Sequence, residues 1–239
     1  MKSSQLSLAA AVVISLSAAG ARAASTGLGP TPYLSFNDSP FKSLNLPNFH
    51  LETFENDLFD APGVTASTGV VVAPGSITDS VDGDDGKIDG SGTGGHSFFS
   101  DNGAGGITFT FNAAQLGGSL PTHAGIVWTD GAGQITFEAF GPGDVPLVTI
   151  GPVSQAGVFP DDSISGTTAE DRFFGVISDG GISKIFINNT SGGIEVDHLQ
   201  YNGKATVAAV PLPTALWPSL LTLGGMGAIA WRRRTTRTA

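Results

Sequence analysis

The sequence predicts an all-β protein whose central part, residues 33–204, folds as one antiparallel, jelly-roll-like β-sandwich. Short apolar runs recur at intervals of roughly 8–12 residues, with turn-forming residues between them. No run of amphipathic helical period separates these apolar stretches. The chain has 34 glycines and only 13% charged residues, a composition typical of many tight turns. Together these features favour strands joined by turns over a helical or mixed fold.

The first half of the chain alternates short predicted strands with turns. Residues 24–32 are small and polar with prolines, and they predict a linker before the domain. Apolar runs at 33–36, 49–54 and 70–72 predict three strands, the last of them buried. Residues 79–95 have no apolar period and contain many glycines and aspartates, so they predict a loop.

The second half shows clearer strand patterns. Ile107, Phe109 and Phe111 alternate with threonines, which indicates a half-buried strand. The apolar run around Trp128, residues 124–129, predicts a strand buried on both faces. A turn at 130–133 would return the chain into a strand at 135–140. Further strands are predicted at 145–150, 173–178, 182–188 and 194–201, with turns at 141–144, 179–181 and 191–193 and a long loop at 161–171.

The last predicted strand contains an irregularity. Ile194 and Val196 fall on one face of a regular strand, whereas Leu199 and Tyr201 fall on the other. A regular strand therefore cannot bury all four apolar side chains in one core. An extra residue near Asp197 and His198 would resolve the conflict, so the sequence predicts a β-bulge there.

The amino terminus has the three parts of a secretory signal peptide. Lys2 supplies a positive charge, residues 6–19 are apolar apart from serines, and Ala21-Arg22-Ala23 offers a site for signal peptidase. The predicted signal peptide therefore spans residues 1–23. The alternative is an uncleaved membrane anchor.

The carboxyl terminus carries an apolar stretch followed by arginines. Residues 205–213 predict a linker, residues 214–231 a transmembrane helix, and residues 232–239 a basic cytoplasmic tail. Arg232, Arg233 and Arg234 would stay on the cytoplasmic side and place the rest of the chain outside. The alternative is a buried core helix.

The order of these carboxyl-terminal features is that of a known sorting signal. Val210-Pro211-Leu212-Pro213, then the apolar helix, then the arginines, resembles the PEP-CTERM sorting domain of Gram-negative bacteria. Leu212 stands where the family most often has Glu. The resemblance implies processing near this motif by an exosortase-type membrane enzyme, and then release or attachment outside the cell, often in bacteria that make an exopolysaccharide.

The central domain also resembles known proteins. Residues 33–41, 51–55, 62–64, 124–131 and 193–201 resemble a bacterial family of exported domains that carry this sorting tail and have no assigned activity. Phe54-Glu55 and Asp197 are similar to the calcium-binding corner of jelly-roll carbohydrate-binding modules. This second resemblance implies a calcium site and a glycan ligand.

The charge distribution excludes some partners. Six of the 11 basic residues lie in residues 1–23 and 205–239, which contain no acidic residue. The central part therefore has five basic against 21 acidic residues, a net charge of −16. Such a domain repels nucleic acid and anionic lipid headgroups, and it is suited to bind divalent cations.

Two groups of carboxylates are candidate calcium sites, because Ca²⁺ takes six to eight oxygen ligands. The first joins Glu52, Glu55 and Asp197, at the ends of the first and last strands. The second and weaker group is the loop with Asp82, Asp84, Asp85 and Asp89. The alternatives are solvated surface carboxylates for the first group and a mobile loop for the second.

No catalytic signature stands out in the sequence. The chain has no cysteine, so thiol catalysis is excluded, and its four histidines show no zinc-binding spacing. No Gly-x-Ser-x-Gly elbow occurs. We therefore expect a non-enzymatic surface or extracellular-matrix protein that associates with exopolysaccharide. The alternatives are a secreted polysaccharide hydrolase or a specialised binding protein, such as an ice-binding protein.

Overall fold

The computed structural model describes residues 24–73, 80–81, 95–154 and 171–204, which form ten β-strands and three short 3-10 helices. The strands are β1 (Ser25–Pro32), β2 (Phe49–Glu52), β3 (Val64–Ala66), β4 (Val70–Val72), β5 (Ser97–Ser100), β6 (Ile107–Phe111), β7 (His123–Gly141), β8 (Val145–Ser154), β9 (Arg172–Ser178) and β10 (Lys184–Asn202). The 3-10 helices are Phe36–Asp38, Lys42–Leu44 and Pro142–Asp144. The all-β prediction is confirmed.

Two long strands, β7 and β10, organise the sheet. They pair antiparallel along nearly their whole length, and register shifts near their middles divide the sheet into two limbs. The first limb contains residues 134–141 of β7, with strand order β8-β7-β10-β6-β3. The second limb contains residues 123–131 of β7, with strand order β1-β9-β7-β10-β5-β4, and β2 pairs with the end of β10.

The main core lies between the two limbs, as in a β-sandwich. Aromatic rings cross it from one limb to the other: Phe98 contacts Phe109 with ring centroids 5.8 Å apart, and Phe111 contacts Tyr201 at 5.4 Å. Trp128 is fully buried here, as the sequence predicts. Burying side chains of this size is the main stabilising contribution to such a fold. The largest other buried members are Phe54, Phe137, Phe174, Ile107 and Leu116.

A second, smaller core covers the outer face of the second limb. Tyr33, Phe41 and Val81 pack there against Val127 and Phe173. This explains why the apolar run around Trp128 is buried on both faces: alternate side chains enter different cores.

The structure corrects the prediction of two turns. Residues 130–133 and 191–193 are not hairpin turns but bends within β7 and β10, which therefore replace four shorter predicted strands. Ser191 pairs with Ala132 and Ile194 pairs with Gly131, so the two bends lie side by side. Glycine permits both a tight turn and a bend of this kind, so the local sequence did not distinguish them.

Two other predictions at the amino-terminal end are wrong. Ser25–Pro32, predicted as a linker, forms β1 and pairs with β9. Residues 33–36, predicted as a strand, are not one: Tyr33 enters the second core, and a 3-10 helix begins at Phe36. Residues 70–72 form a strand as predicted, but it lies at the edge of the sheet and Val70 is 60% exposed.

The predicted bulge in the last strand is confirmed. The register of β10 against β7 shifts between Asp197 and Gln200, and His198 has a positive φ of 45°. The extra residue lets Val196 and Leu199 both enter the main core.

Several predictions concern residues outside those that the structure describes. They are the signal peptide at 1–23, most of the loop at 79–95 with Asp82, Asp84, Asp85 and Asp89, most of the loop at 161–171, and everything from residue 205 onward. Within the described part of the chain, no helix has the length and apolar character needed to span a bilayer.

Candidate functional site

An acidic cleft of about 400 Å³ lies beside the junction of β2 and the end of β10. Strand β2 ends at Glu52, and the chain then leaves the sheet through residues 53–63 and folds back over it. The cleft is lined by His50, Leu51, Glu52, Thr53, Glu55, Asn56, Asp60, Ala61, Pro62 and Tyr201. Three carboxyl groups and no lysine or arginine therefore face one small volume.

Glu52 is the most buried of these acids, with 8% of its surface exposed. Its Oε1 atom accepts a hydrogen bond of 3.0 Å from the backbone N–H of Phe54. Burial raises the pKa of Glu52, and the nearby carboxylate of Asp60 raises it further, because neighbouring negative charges disfavour ionisation.

Tyr201 and His50 form the aromatic wall of the cleft. Their rings stack with centroids 4.9 Å apart, and the Tyr201 hydroxyl donates a 2.7 Å hydrogen bond to the carbonyl oxygen of Pro62. Burial raises the pKa of Tyr201, and the charges of Glu52 and Asp60 raise it further. The hydroxyl is therefore a fixed donor that holds the returning segment in place.

Glu55 lies at the other side of the cleft and contacts His96. Its Oε1 atom accepts a 2.5 Å hydrogen bond from the backbone N–H of His96, and its Oε2 atom lies 3.7 Å from the Nδ1 atom of that ring. Asp57 contacts the opposite ring nitrogen at 2.7 Å. These contacts connect the segment after β2 to the start of β5.

The structure brings only two of the three predicted calcium ligands to this cleft. Glu52 and Glu55 line it, whereas Asp197 does not. Asp197 is fully buried, and its Oδ2 atom accepts hydrogen bonds from Ser80 Oγ at 3.2 Å and Val81 N at 3.0 Å. Across the described ranges, no group of three or more histidine or acidic side chains is arranged to hold a metal ion. The set of Glu52, Glu55 and Asp197 therefore does not converge, and calcium binding stays a prediction.

Asp60 is the acidic residue that the sequence analysis missed. It lies in an irregular segment with no strand pattern, eight residues after Glu52. The following Pro62-Gly63 turn was the available signal, because a turn there brings the chain back toward β2.

Comparisons with known proteins identify no relative for this chain. No family model matches it, and no curated protein matches it. Among solved structures, it is similar to the K2 cleaved adhesin domain of Lys-gingipain, with a TM-score of 0.39 and 10% sequence identity. That match covers 67% of this chain and 98% of the adhesin domain. The function is therefore argued from the geometry of this chain.

Proposed function

We propose that this chain is an exported, non-enzymatic binding protein of the cell surface or extracellular matrix. Its β-sandwich, of the jelly-roll type seen in carbohydrate-binding modules, would hold extracellular polysaccharide. The observation that carries the proposal is the cleft lined by Glu52, Glu55 and Asp60, on the surface of a domain with a buried apolar core. Such a concave site with several oxygen acceptors suits a ligand rich in hydroxyl groups.

Delivery to the exterior rests on the predicted terminal segments. Signal peptidase would cut after Ala23, and an exosortase-type enzyme would process the chain near Pro211-Leu212-Pro213 while the 214–231 helix holds it in the membrane. All described strands lie between these two positions, from Ser25 to Asn202. Processing at both ends would therefore leave the folded domain intact.

The charge of the cleft limits the class of polysaccharide. Three carboxylates with no lysine or arginine beside them repel uronate-rich or sulfated chains at neutral pH. They accept hydrogen bonds from the hydroxyl groups of a neutral glycan, and Asn56 can both donate and accept. The proposed ligand is therefore a neutral exopolysaccharide.

Calcium is the second part of the proposal. The carboxylate of Asp60 contributes to the raised pKa of Glu52, and a divalent cation at this place would relieve that repulsion. Backbone carbonyl oxygens and water would supply the other ligands, since Ca²⁺ needs six to eight oxygens. The Tm of residues 24–204 is expected to be higher with calcium than with a chelator. An unchanged Tm would contradict the proposed calcium binding.

The binding test uses residues 24–204, which contain both cores and all described strands. The purified protein is screened for retention by neutral and acidic polysaccharides, with calcium and with chelator. The variant Asp60→Asn is expected to weaken retention about tenfold, the typical effect of losing a charge-assisted hydrogen bond. Asp101→Asn is the matched control, because Asp101 is exposed and does not line the cleft. Equal retention of both variants, or retention of acidic chains alone, would contradict the proposal.

Hydrolysis of the glycan is the competing function. Glycosidases that use two carboxyl groups hold them about 5 Å or more apart, so that an acid and a nucleophile or water can flank the bond. Glu52 and Asp60 are the neighbouring carboxyl groups of the cleft that such an enzyme would use. Release of reducing sugar that disappears in Glu52→Gln would replace the binding proposal with an enzymatic one.

A further inference from the structure

The two sides of the sandwich differ in how their edge strands are protected. On one side, β1 packs against β8, and the side chains of Val148 and Ile150 lie over the backbone of Gly27. Both edge strands there contain prolines, at positions 30 and 32 in β1 and at 146 and 152 in β8. Because proline has no N–H to donate, these edges cannot readily add another strand.

On the opposite side, no described strand covers the edges of the sheet. There β3 and β4 are the edge strands of the two limbs, and within the described residues each pairs with one other strand, β6 and β5 respectively. A groove of about 770 Å³ lies along them and reaches down to Phe59 and Phe98 of the main core. We call this the β3–β4 groove; it is lined by residues 57–59 and 64–71 together with Phe98.

The edges of the β3–β4 groove lack the usual protection against pairing. Neither β3 nor β4 contains a proline or a charged residue, and neither has a register shift against its partner. Val70 is 60% exposed and Leu58 is 57% exposed at its rim. The described residues have one other exposed large hydrophobic side chain, Leu44, outside the groove.

The charge distribution indicates what covers this surface. Asp57 is the one charged residue among those lining the groove, and it contacts His96 at 2.7 Å. The central part of the chain, Asp57 included, carries a net charge of −16, so two copies repel each other on average. The nearly uncharged β3–β4 groove is where a second copy can approach at the lowest electrostatic cost.

We propose that the β3–β4 groove is a self-association surface, occupied by a second copy of this chain. The β4 strands of two copies pair antiparallel about a two-fold axis, so that one continuous sheet runs through both. Leu58 and Val70 of each copy become buried in the contact. The arrangement satisfies backbone groups at the edge of β4 and covers the exposed apolar rim. It does not depend on the proposed glycan ligand.

The first test measures the mass of residues 24–204 by sedimentation from low to high micromolar concentration. A concentration-dependent dimer is expected for the unmodified domain. Val70→Lys should weaken the dimer about tenfold or more, because it brings two like charges into an apolar contact. Leu44→Lys is the matched control and should dimerise normally. A domain that stays monomeric throughout overturns the proposal, and so does a Val70→Lys variant that dimerises like the control.

The second test keeps the proposal falsifiable if Val70→Lys fails to fold. The chain contains no cysteine, so Val70→Cys introduces a single thiol. A short bifunctional maleimide should cross-link Val70→Cys into a covalent dimer much faster than it cross-links Leu44→Cys. Equal cross-linking of the two variants would overturn the proposal, because it would show that the β4 strands of two copies do not pair. The groove would then bind another extended peptide or nothing.

Discussion

Glu52 and Asp60 place two acidic side chains in one small cleft. Glu52 is placed by its strand, opposite Leu199 of β10, while Asp60 arrives through the irregular segment that follows. Burial and the neighbouring negative charge both raise the pKa of Glu52. Carboxyl groups with a raised pKa in a cleft are typical of binding and catalytic sites, and this is the residue-scale reason for proposing a binding role for the cleft.

The pH dependence of stability tests this arrangement. The pKa of Glu52 is raised above its ordinary value of 4.5, so the folded state holds a proton that the unfolded state has already released. Stability should therefore fall as the pH rises from this ordinary value through the raised one. Glu52→Gln removes the effect and keeps an acceptor for the Phe54 N–H. At neutral pH in chelator, we expect its Tm to be higher by about 2–4 °C, the shift that roughly 1 kcal/mol gives at this size.

Thermal melting at several pH values is the measurement, with Asp101→Asn as the control for loss of one negative charge. A Glu52→Gln variant that is less stable than the unmodified protein at neutral pH would show that the carboxylate is stabilising. That outcome would contradict the electrostatic description of the cleft.

The paired bends in β7 and β10 are the element-scale feature that makes one sheet into two limbs. Asn189 is fully buried beside them, and its Nδ2 atom donates to the carbonyl oxygens of Ala132 at 3.1 Å, Ser191 at 2.5 Å and Gly193 at 2.9 Å. Gly131 leaves room for this side chain, because a Cβ there would lie 2.6 Å from the Asn189 Oδ1 atom. The buried amide of Asn189 thus donates hydrogen bonds to backbone carbonyl oxygens that lack a strand partner at the bends.

Asn189→Ala is therefore expected to destabilise the fold by roughly 2–3 kcal/mol, because it leaves buried carbonyl oxygens without a donor. Urea unfolding of residues 24–204 gives the free energy directly. Asn188→Ala is the matched control, since the neighbouring Asn188 makes a single long contact of 3.4 Å with Ala104. If Asn189→Ala costs no more than Asn188→Ala, the buried amide does not hold the bends.

At the scale of the whole molecule, an acidic surface surrounds a closed apolar interior. The central part of the chain contains five basic and 21 acidic residues. The β1–β8 side is closed by contact and by prolines, and the β3–β4 side is open and nearly uncharged. A charge excess of this kind keeps copies of the domain apart, so partners are expected to bind where charge is absent or arranged in a cleft.

Self-repulsion at this scale predicts a salt dependence. The Debye length falls from about 30 Å at 0.01 M to about 8 Å at 0.15 M ionic strength, so added salt screens most pairs of surface carboxylates. The Tm of residues 24–204, measured in chelator, should rise by a few degrees as sodium chloride is added over this range. The comparison uses sucrose at equal osmolarity, which does not screen charge. A Tm that falls or stays constant with salt would contradict a net repulsive surface.

The sequence by itself determined the all-β class, the positions of most strands and the bulge at His198. These features depend on how apolar and polar residues alternate along each strand, and on the need to bury Val196 and Leu199 together. Both can be read from residues that are close in the sequence. The tertiary structure decided whether the glycine-rich stretches at 130–133 and 191–193 turn or bend, because glycine permits both and the contacts of Asn189 select one. It also decided that Asp60, rather than Asp197, meets Glu52, because that meeting depends on the path of an irregular segment with no periodic pattern.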